Sequence, residues 1–258
     1  MRNIRLLVQY DGTEFAGYQK QPHAVTVQGQ LESALAAVLQ EDAKTTGASR
    51  TDAGVHALGQ VVSLKTEHTI PASRLMNALN NALPVSVRIA EAEDADLEFH
   101  PRYDATGKWY SYRIADSPRV SPFVARYVWH VGARLDAERM ARAAGHLAGR
   151  HDFSAFEVAG GSATTKVRHL DRAECVRRGD TVEIRTHADG YLYMMVRSIV
   201  GTLVEVGKGR LEPDAIPRIL DSRERSAAGP TAPPQGLFLE RVEYWTTGTD
   251  RGRRIRRL

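Results

Sequence analysis

NIRLLVQY, residues 3–10, places Ile4, Leu6, Val8 and Tyr10 on one side of an extended chain, the alternation of a half-buried strand. The segments after it decide which kind of sheet that strand joins. VQGQLESALAAVLQ (27–40) repeats apolar residues at Val27, Leu31, Leu35 and Val38 or Leu39, a helical spacing, with Thr26 placed to cap it. Short extended segments come next, around 45–50 and at QVVSLKT (60–66). PASRLMNALNNALP (71–84) brings Leu75, Leu79 and Leu83 to one helix face and stops at Pro84. VRIAEAE (87–93) returns as a strand. The order β-α-β-β-α-β is that of a ferredoxin-like unit.

The remainder repeats the theme with longer connections. GKWYSYRIA (107–115) sets Tyr110, Tyr112 and Ile114 against Trp109, Ser111 and Arg113. LDAERMARAAGHLAG (135–149) predicts a helix with an aspartate cap, Glu138 in the positive first turn and Gly149 at its end. Strands at 167–177 and 181–187 meet at RRGD, a hairpin signal. YMMVRSIVGTLVEVG (193–207) is an apolar helix, and GLFLERVEYW (236–245) closes as a strand. The chain therefore reads as α+β: two related ferredoxin-like halves with antiparallel sheets, joined edge to edge around a cleft. The expected divisions are 1–104, 105–247 and a basic tail at 248–258. SRERSAAGPTAPPQ (222–235) is a loop by composition and the segment expected to pack least.

With 258 residues, 42% of them apolar, the chain can bury a substantial core, yet no apolar run approaches the 18 residues of a membrane span. MRNIRLLVQY lacks a long apolar stretch and a cleavage site, so it reads as a first strand and not as a signal peptide. Cys175 is the only cysteine, which excludes an internal disulfide and a thiolate metal cluster and fits a cytoplasmic location. The net charge of +4 is modest, but RGRRIRRL (251–258) holds five arginines and VRHLDRAECVRR (167–178) leans basic. Such clusters either bind a polyanion or serve solubility.

GASRTDAGVHALGQV (47–61) gathers Arg50, Thr51, Asp52 and His56 beside glycines. Gly54 permits a positive φ, so a turn there can present Asp52 outward. Residue types alone leave a plain Asx turn and a catalytic loop both open. A metal site is poorly served, because Asp52 and His56 are two ligands where zinc takes three or four. YDGTEFAGYQKQ (10–21) lacks the spacings of dinucleotide and P-loop sites, and its glycines suit a phosphate on backbone N–H groups or a simple hairpin equally. In YLYMMVRSIVG (191–201), Arg197 lies among apolar neighbours. A guanidinium there is costly unless it snorkels to water or meets an anion. Asp52 is the best candidate anion. Tyr110 is either a core residue or an aromatic that meets a base taken out of an RNA helix.

Taken together, these segments resemble the bacterial tRNA pseudouridine synthases of the TruA family. YDGTEFAGYQKQ is similar to the family's first motif, TVQGQLESAL to its first helix and SRTDAGVHALGQVV to its active-site signature. FHPRYDATGKWYSYRI, DFSAF, MMVRSIVG and GLFLERVEY also fit, so that the resemblance runs from about residue 3 to residue 245. It implies that Asp52 is the essential carboxylate, that Arg50 helps displace the target base, that Tyr110 packs against the target uracil, and that Arg197 pairs with and orients Asp52. It further implies a pseudo-twofold relation between the halves, a homodimer, and a tRNA anticodon stem and loop as substrate, with uridines 38, 39 and 40 as targets. No cofactor and no metal are implied. Two departures stand out. Ser49 replaces the usual Gly before Arg50, which alters backbone freedom or adds a hydrogen bond to a phosphate, and Tyr193 to Ser198 replace a motif that often reads HHMVRN.

The reaction moves the ribose bond of uracil from N1 to C5 without redox or energy input. A carboxylate serves it by covalent attack or by removing a sugar proton, and Asp52 suits both. Two rival readings remain at this level. One is a non-catalytic tandem RRM-like RNA-binding protein, although no RNP1 match is present. The other is a metal-dependent hydrolase built on Asp11, Asp52 and His56.

Overall fold

In the computed structural model, which describes residues 1–245, the alternation at the N-terminus becomes strand β1 (Arg2–Tyr10), with Ile4, Leu6 and Val8 fully buried. Helix α1 (Val27–Leu39) starts where Thr26 accepts a hydrogen bond from the Gly29 N–H at 3.2 Å, and it buries Val27, Leu31 and Leu35. The first half continues through β2 (Thr45–Gly47), β3 (His56–Thr66), α2 (Ala72–Ala82) and β4 (Val87–Ala95). The second half comprises β5 (Ala105–Ala115), β6 (Trp129–His130), α3 (Ala137–Gly145), β7 (Gly149–Asp152), β8 (Val167–Arg178), β9 (Thr181–Ala188), α4 (Met195–Gly207), α5 (Ala215–Ser222) and β10 (Leu237–Tyr244).

One ten-stranded sheet carries all of it, in the order β4-β1-β3-β10-β5-β9-β8-β7, with β2 on β3 and β6 on β5. Within the first half the strands run fourth, first, third, second. The order β10-β5-β9-β8 repeats that arrangement in the second half, again with antiparallel neighbours. The halves meet where β10 runs parallel to β3, pairing Phe238 with His56 and Leu239 with Ala57. This junction exists because β2 is short. It pairs only with Val62, Ser63 and Leu64, and the beginning of β3 is left free to receive β10. The two halves thus share one continuous sheet, joined at the β3–β10 seam.

Three features depart from the sequence reading or go beyond it. The helix foreseen over 135–149 is shorter: Asp136 caps it through the Arg139 N–H at 2.9 Å, but it ends at Gly145, and Gly149 opens β7 instead. Residues 215–222 form α5, which the sequence reading passed over. The third concerns 222–235, expected to pack least. Ala232 is fully buried, Tyr112 donates its hydroxyl hydrogen to Pro233 O at 2.7 Å, and the chain presses onto α4 so closely that a Cβ on Gly201 would sit 1.6 Å from Pro230 O. Only glycine allows that approach. Covered by this segment as well as by the core, α4 is buried almost all round, Ile199, Val200, Leu203 and Val204 having no exposure. A helix with that surrounding carries apolar residues on every face. The basic tail at 248–258 lies outside the described residues.

The basic-leaning stretch 167–178 is largely spoken for by carboxylates. Arg177 makes a two-pronged pair with buried Asp116 at 3.0 and 2.7 Å, Arg178 pairs with Glu183 at 3.5 Å and Arg172 with Glu174 at 3.7 Å. Arg177 is thus held by a structural pair, while the exposed pairs of Arg172 and Arg178 leave both able to meet a polyanion. Arg168 lies under the charges of Asp189 and Glu157.

Candidate active site

Asp52 sits in the connection between β2 and β3, and the first loop of the chain holds it there. Thr51 is buried, with its hydroxyl 2.8 Å from the Tyr10 hydroxyl, and its carbonyl accepts the Tyr18 N–H at 3.0 Å. The Gly54 N–H donates to Phe15 O at 3.3 Å, and the Val55 N–H closes the turn on Asp52 O at 3.1 Å. Gly54 adopts φ +76°, as a turn presenting Asp52 requires. A Cβ on Gly12 would lie 2.0 Å from Val55 O, so residues 12–18 and 51–55 approach backbone to backbone. The glycines of YDGTEFAGYQ are therefore used to seat the Asp52 turn, which answers the choice between phosphate cradle and hairpin left open by their spacing.

Arg197 emerges from the start of α4 and meets Asp52 across the seam, Nη1 to Oδ2 at 2.9 Å. Its Nε donates to Ala232 O at 2.8 Å, while its own carbonyl accepts the Ala232 N–H at 3.0 Å. The Arg197 side chain is 12% exposed and that of Asp52 20%, so the pair is sheltered without being sealed from solvent. Met194, which precedes α4, has φ +55°, a left-handed conformation that is unfavourable for a side chain of this kind and turns the chain sharply into the helix bearing Arg197.

Tyr110 comes from the middle of β5. It is 6% exposed, its ring meets Tyr191 edge-on at 4.9 Å, and its hydroxyl lies 2.8 Å from the Ser49 hydroxyl. Burial pushes the phenol up to about 12, with Asp52 adding to the rise, so it keeps its proton at neutral pH. Arg50, two residues before Asp52, is exposed and makes no hydrogen bond or ion pair among the described residues. Asp52, Tyr110 and Arg197 thus converge, and Arg50 stands at the rim.

Ser49 makes a contact that the sequence reading did not foresee. Its hydroxyl meets that of Tyr110, and the buried Gln60 side chain fixes its backbone, accepting the Ser49 N–H at 3.1 Å and donating to Ser49 O at 2.6 Å. A fully buried glutamine inside the apolar run of β3 was the available signal. Lys108 was also missed. Two residues before Tyr110 and on the same side of β5, it donates from Nζ to Ala48 O at 2.7 Å. The same side of β5 therefore grips Ala48 and Ser49 from the opposite half.

His56 leaves the group it belongs to in sequence. Its Nδ1 accepts the Gly12 N–H at 3.0 Å, Nε2 faces Gln235 O at 3.2 Å, and the ring stacks on Phe238 at 4.7 Å. Nδ1 also stands 3.2 Å from Asp11 Oδ1, so both ring nitrogens face oxygen acceptors. Burial lowers its pKa, and nearby Asp11 offsets only part of this. Asp11 also accepts from Tyr127 at 2.8 Å. Asp11 and His56 thus fasten the β3–β10 seam while Asp52 turns to Arg197, so the trio of the hydrolase reading is divided between two separate tasks.

A family model described as tRNA pseudouridine synthase matches residues 6–104 and 143–245. The tRNA pseudouridine synthase A of Acetivibrio thermocellus is 47% identical over 244 residues, covering 95% of this chain and 100% of the relative. That of Geotalea uraniireducens is 46% identical over 244 residues with the same coverage. A chain in a solved Cbf5-Nop10-Gar1 complex overlaps 78% of this chain and 45% of its own length at 12% identity with a TM-score of 0.37, too slight an overlap to bear on the fold. The chain belongs to the tRNA pseudouridine synthase family.

Proposed function

We propose that this chain converts uridine to pseudouridine in the anticodon stem and loop of tRNA, at positions 38, 39 and 40, with Asp52 as the catalytic carboxylate. The observation that carries the assignment is the Asp52–Arg197 pair, 2.9 Å long, drawn from opposite halves of the chain and still partly exposed. In the reaction the N1–C1′ bond breaks, a C5–C1′ bond forms, the C5 proton leaves and N1 ends protonated, so no electrons enter or leave. Asp52 supplies the carboxylate for attack or for proton removal. Arg197 fixes its orientation through a charge-assisted hydrogen bond. Tyr110 forms the floor against which the detached uracil rests, and its neutral phenol can donate as well as accept a proton. Exposed Arg50 meets the RNA and helps displace the base, at a cost of a few kcal/mol in lost stacking and pairing.

A homodimer sharing one tRNA belongs to the same proposal, and sedimentation of the free protein tests it. The function itself is tested by incubating unmodified tRNA with the protein in EDTA and mapping pseudouridine chemically. Product at 38–40 supports the reading. Absence of product both in EDTA and with divalent metal restored refutes it, and product only with the metal refutes a metal-free reaction at Asp52.

A further inference from the structure

Lys108 is a cation in an unusual setting. Its ammonium has three N–H groups, of which one is used on Ala48 O at 2.7 Å, and no carboxylate pairs with it among the described residues. The charges that act on it are those of Arg102 and Arg168, both repulsive. Register explains the position of Arg168. Lys108 lies opposite Ala188, and Ala188 opposite Leu170, so Arg168 stands one pleat from that row on the same face. Its Nη1 is held by Thr165 O at 2.9 Å and Val167 O at 2.7 Å, and it leans toward Gly190 at the end of β9. Arg102, exposed in the turn before β5, completes the group.

Asp189 and Glu157 act on Arg168, but no carboxylate acts on Lys108, and a sheltered cation without an anion of its own is costly. We propose that Lys108, with Arg168 and Arg102, receives a backbone phosphodiester of the RNA next to the target uridine. The free N–H groups of Lys108 match the acceptor oxygens of a phosphodiester, and its grip on Ala48 O ties that contact to the segment leading into Asp52. Burial, with repulsion from the two arginines, lowers the amine to about 8, and a bound phosphodiester would reverse that shift. The inference rests on RNA being the substrate.

The test uses anticodon stem-loop RNA, wild-type protein and the variants Lys108→Met and Lys108→Arg, each with its melting curve measured. Lys108→Met should weaken binding roughly tenfold and lower the slope of log K against log salt by about 1. Lys108→Arg should keep the slope. A neutral methylphosphonate at one of the two linkages flanking the target uridine should weaken the wild type by the same factor and Lys108→Met no further. An unchanged slope, or a methylphosphonate penalty that simply adds to the mutation, overturns the proposal and leaves Lys108 as a clamp on Ala48. Pseudouridine formation by the wild type in the same RNA is scored separately, so a failure of the functional reading is distinguishable from a failure of this one.

Discussion

Replacing Arg197 by lysine keeps a positive charge at the start of α4 and removes the planar fork. The guanidinium uses two different nitrogens, Nη1 on Asp52 at 2.9 Å and Nε on Ala232 O at 2.8 Å. A lysine ammonium is a single point and cannot reproduce that geometry. A hydrogen bond to a charged group contributes about 1.5–3 kcal/mol. At about 1.4 kcal/mol per factor of ten, loss of the Asp52 bond predicts a roughly ten- to hundredfold slower single turnover. Stability should suffer less than when a fully buried pair is broken, which costs about 3–5 kcal/mol. The Asp52 side chain is 20% exposed and water replaces part of what it loses. A cost of about 1–2 kcal/mol, or a Tm lower by about 2–8 °C, is expected. Arg197→Met removes both bonds, leaves Ala232 O unpaired, and should be slower still. Tritium release from C5-labelled uridine in a single-turnover mix reads the chemical step, and a melting curve reads the fold. A wild-type rate in Arg197→Lys, with binding intact, would refute the claim that this fork orients Asp52.

Tyr110→Phe keeps the ring and strands the Ser49 hydroxyl, so it should slow the chemical step at least several-fold while tRNA binding holds; unchanged turnover would remove the phenol from any proton transfer. His56 gives a stability prediction. Its pKa is lower folded than unfolded, so its contribution is fully present above the unfolded value of about 6.5 and is lost as pH falls through the folded value. Wild-type stability should therefore decline below about pH 6.5 with a slope of up to about 1.4 kcal/mol per unit, and His56→Gln should flatten that decline; parallel curves for the two proteins would contradict it. Deleting residues 251–258 should lower tRNA affinity modestly and reduce the salt slope without changing which uridines react, and an equal slope would mean that the five tail arginines do not touch RNA.

The doubled β-α-β-β-α-β pattern was legible because local periodicity and caps, such as Thr26 and Asp136, agreed with the final packing. Arg197 was legible for a different reason: an apolar helix made an unpaired guanidinium implausible, and Asp52 was the carboxylate in suspicious company. What escaped was made by backbone or by distant pairing. α5 contains Pro217, which reads as a helix breaker, but it stands in the first turn, where its missing N–H would have no partner anyway. The grip of residues 229–236 on α4 runs through the main chain of Ala232, which no side-chain pattern reveals. His56 misled because nearness in sequence ignores the start of β3, which turns the chain from the site to the seam. Lys108 was visible in principle, since it extends the same alternation as Tyr110 and Tyr112.

The central claim is that the carboxylate of Asp52 performs the chemistry while many phosphate contacts perform the binding. Asp52→Asn is nearly isosteric and keeps an acceptor within reach of Arg197. Incubated at saturating concentration with C5-tritiated anticodon stem-loop RNA, it should release no tritium above background and yield no pseudouridine on mapping, while its Kd stays within a few-fold of wild type. Measurable single-turnover conversion by Asp52→Asn, above any wild-type contamination, would contradict the account.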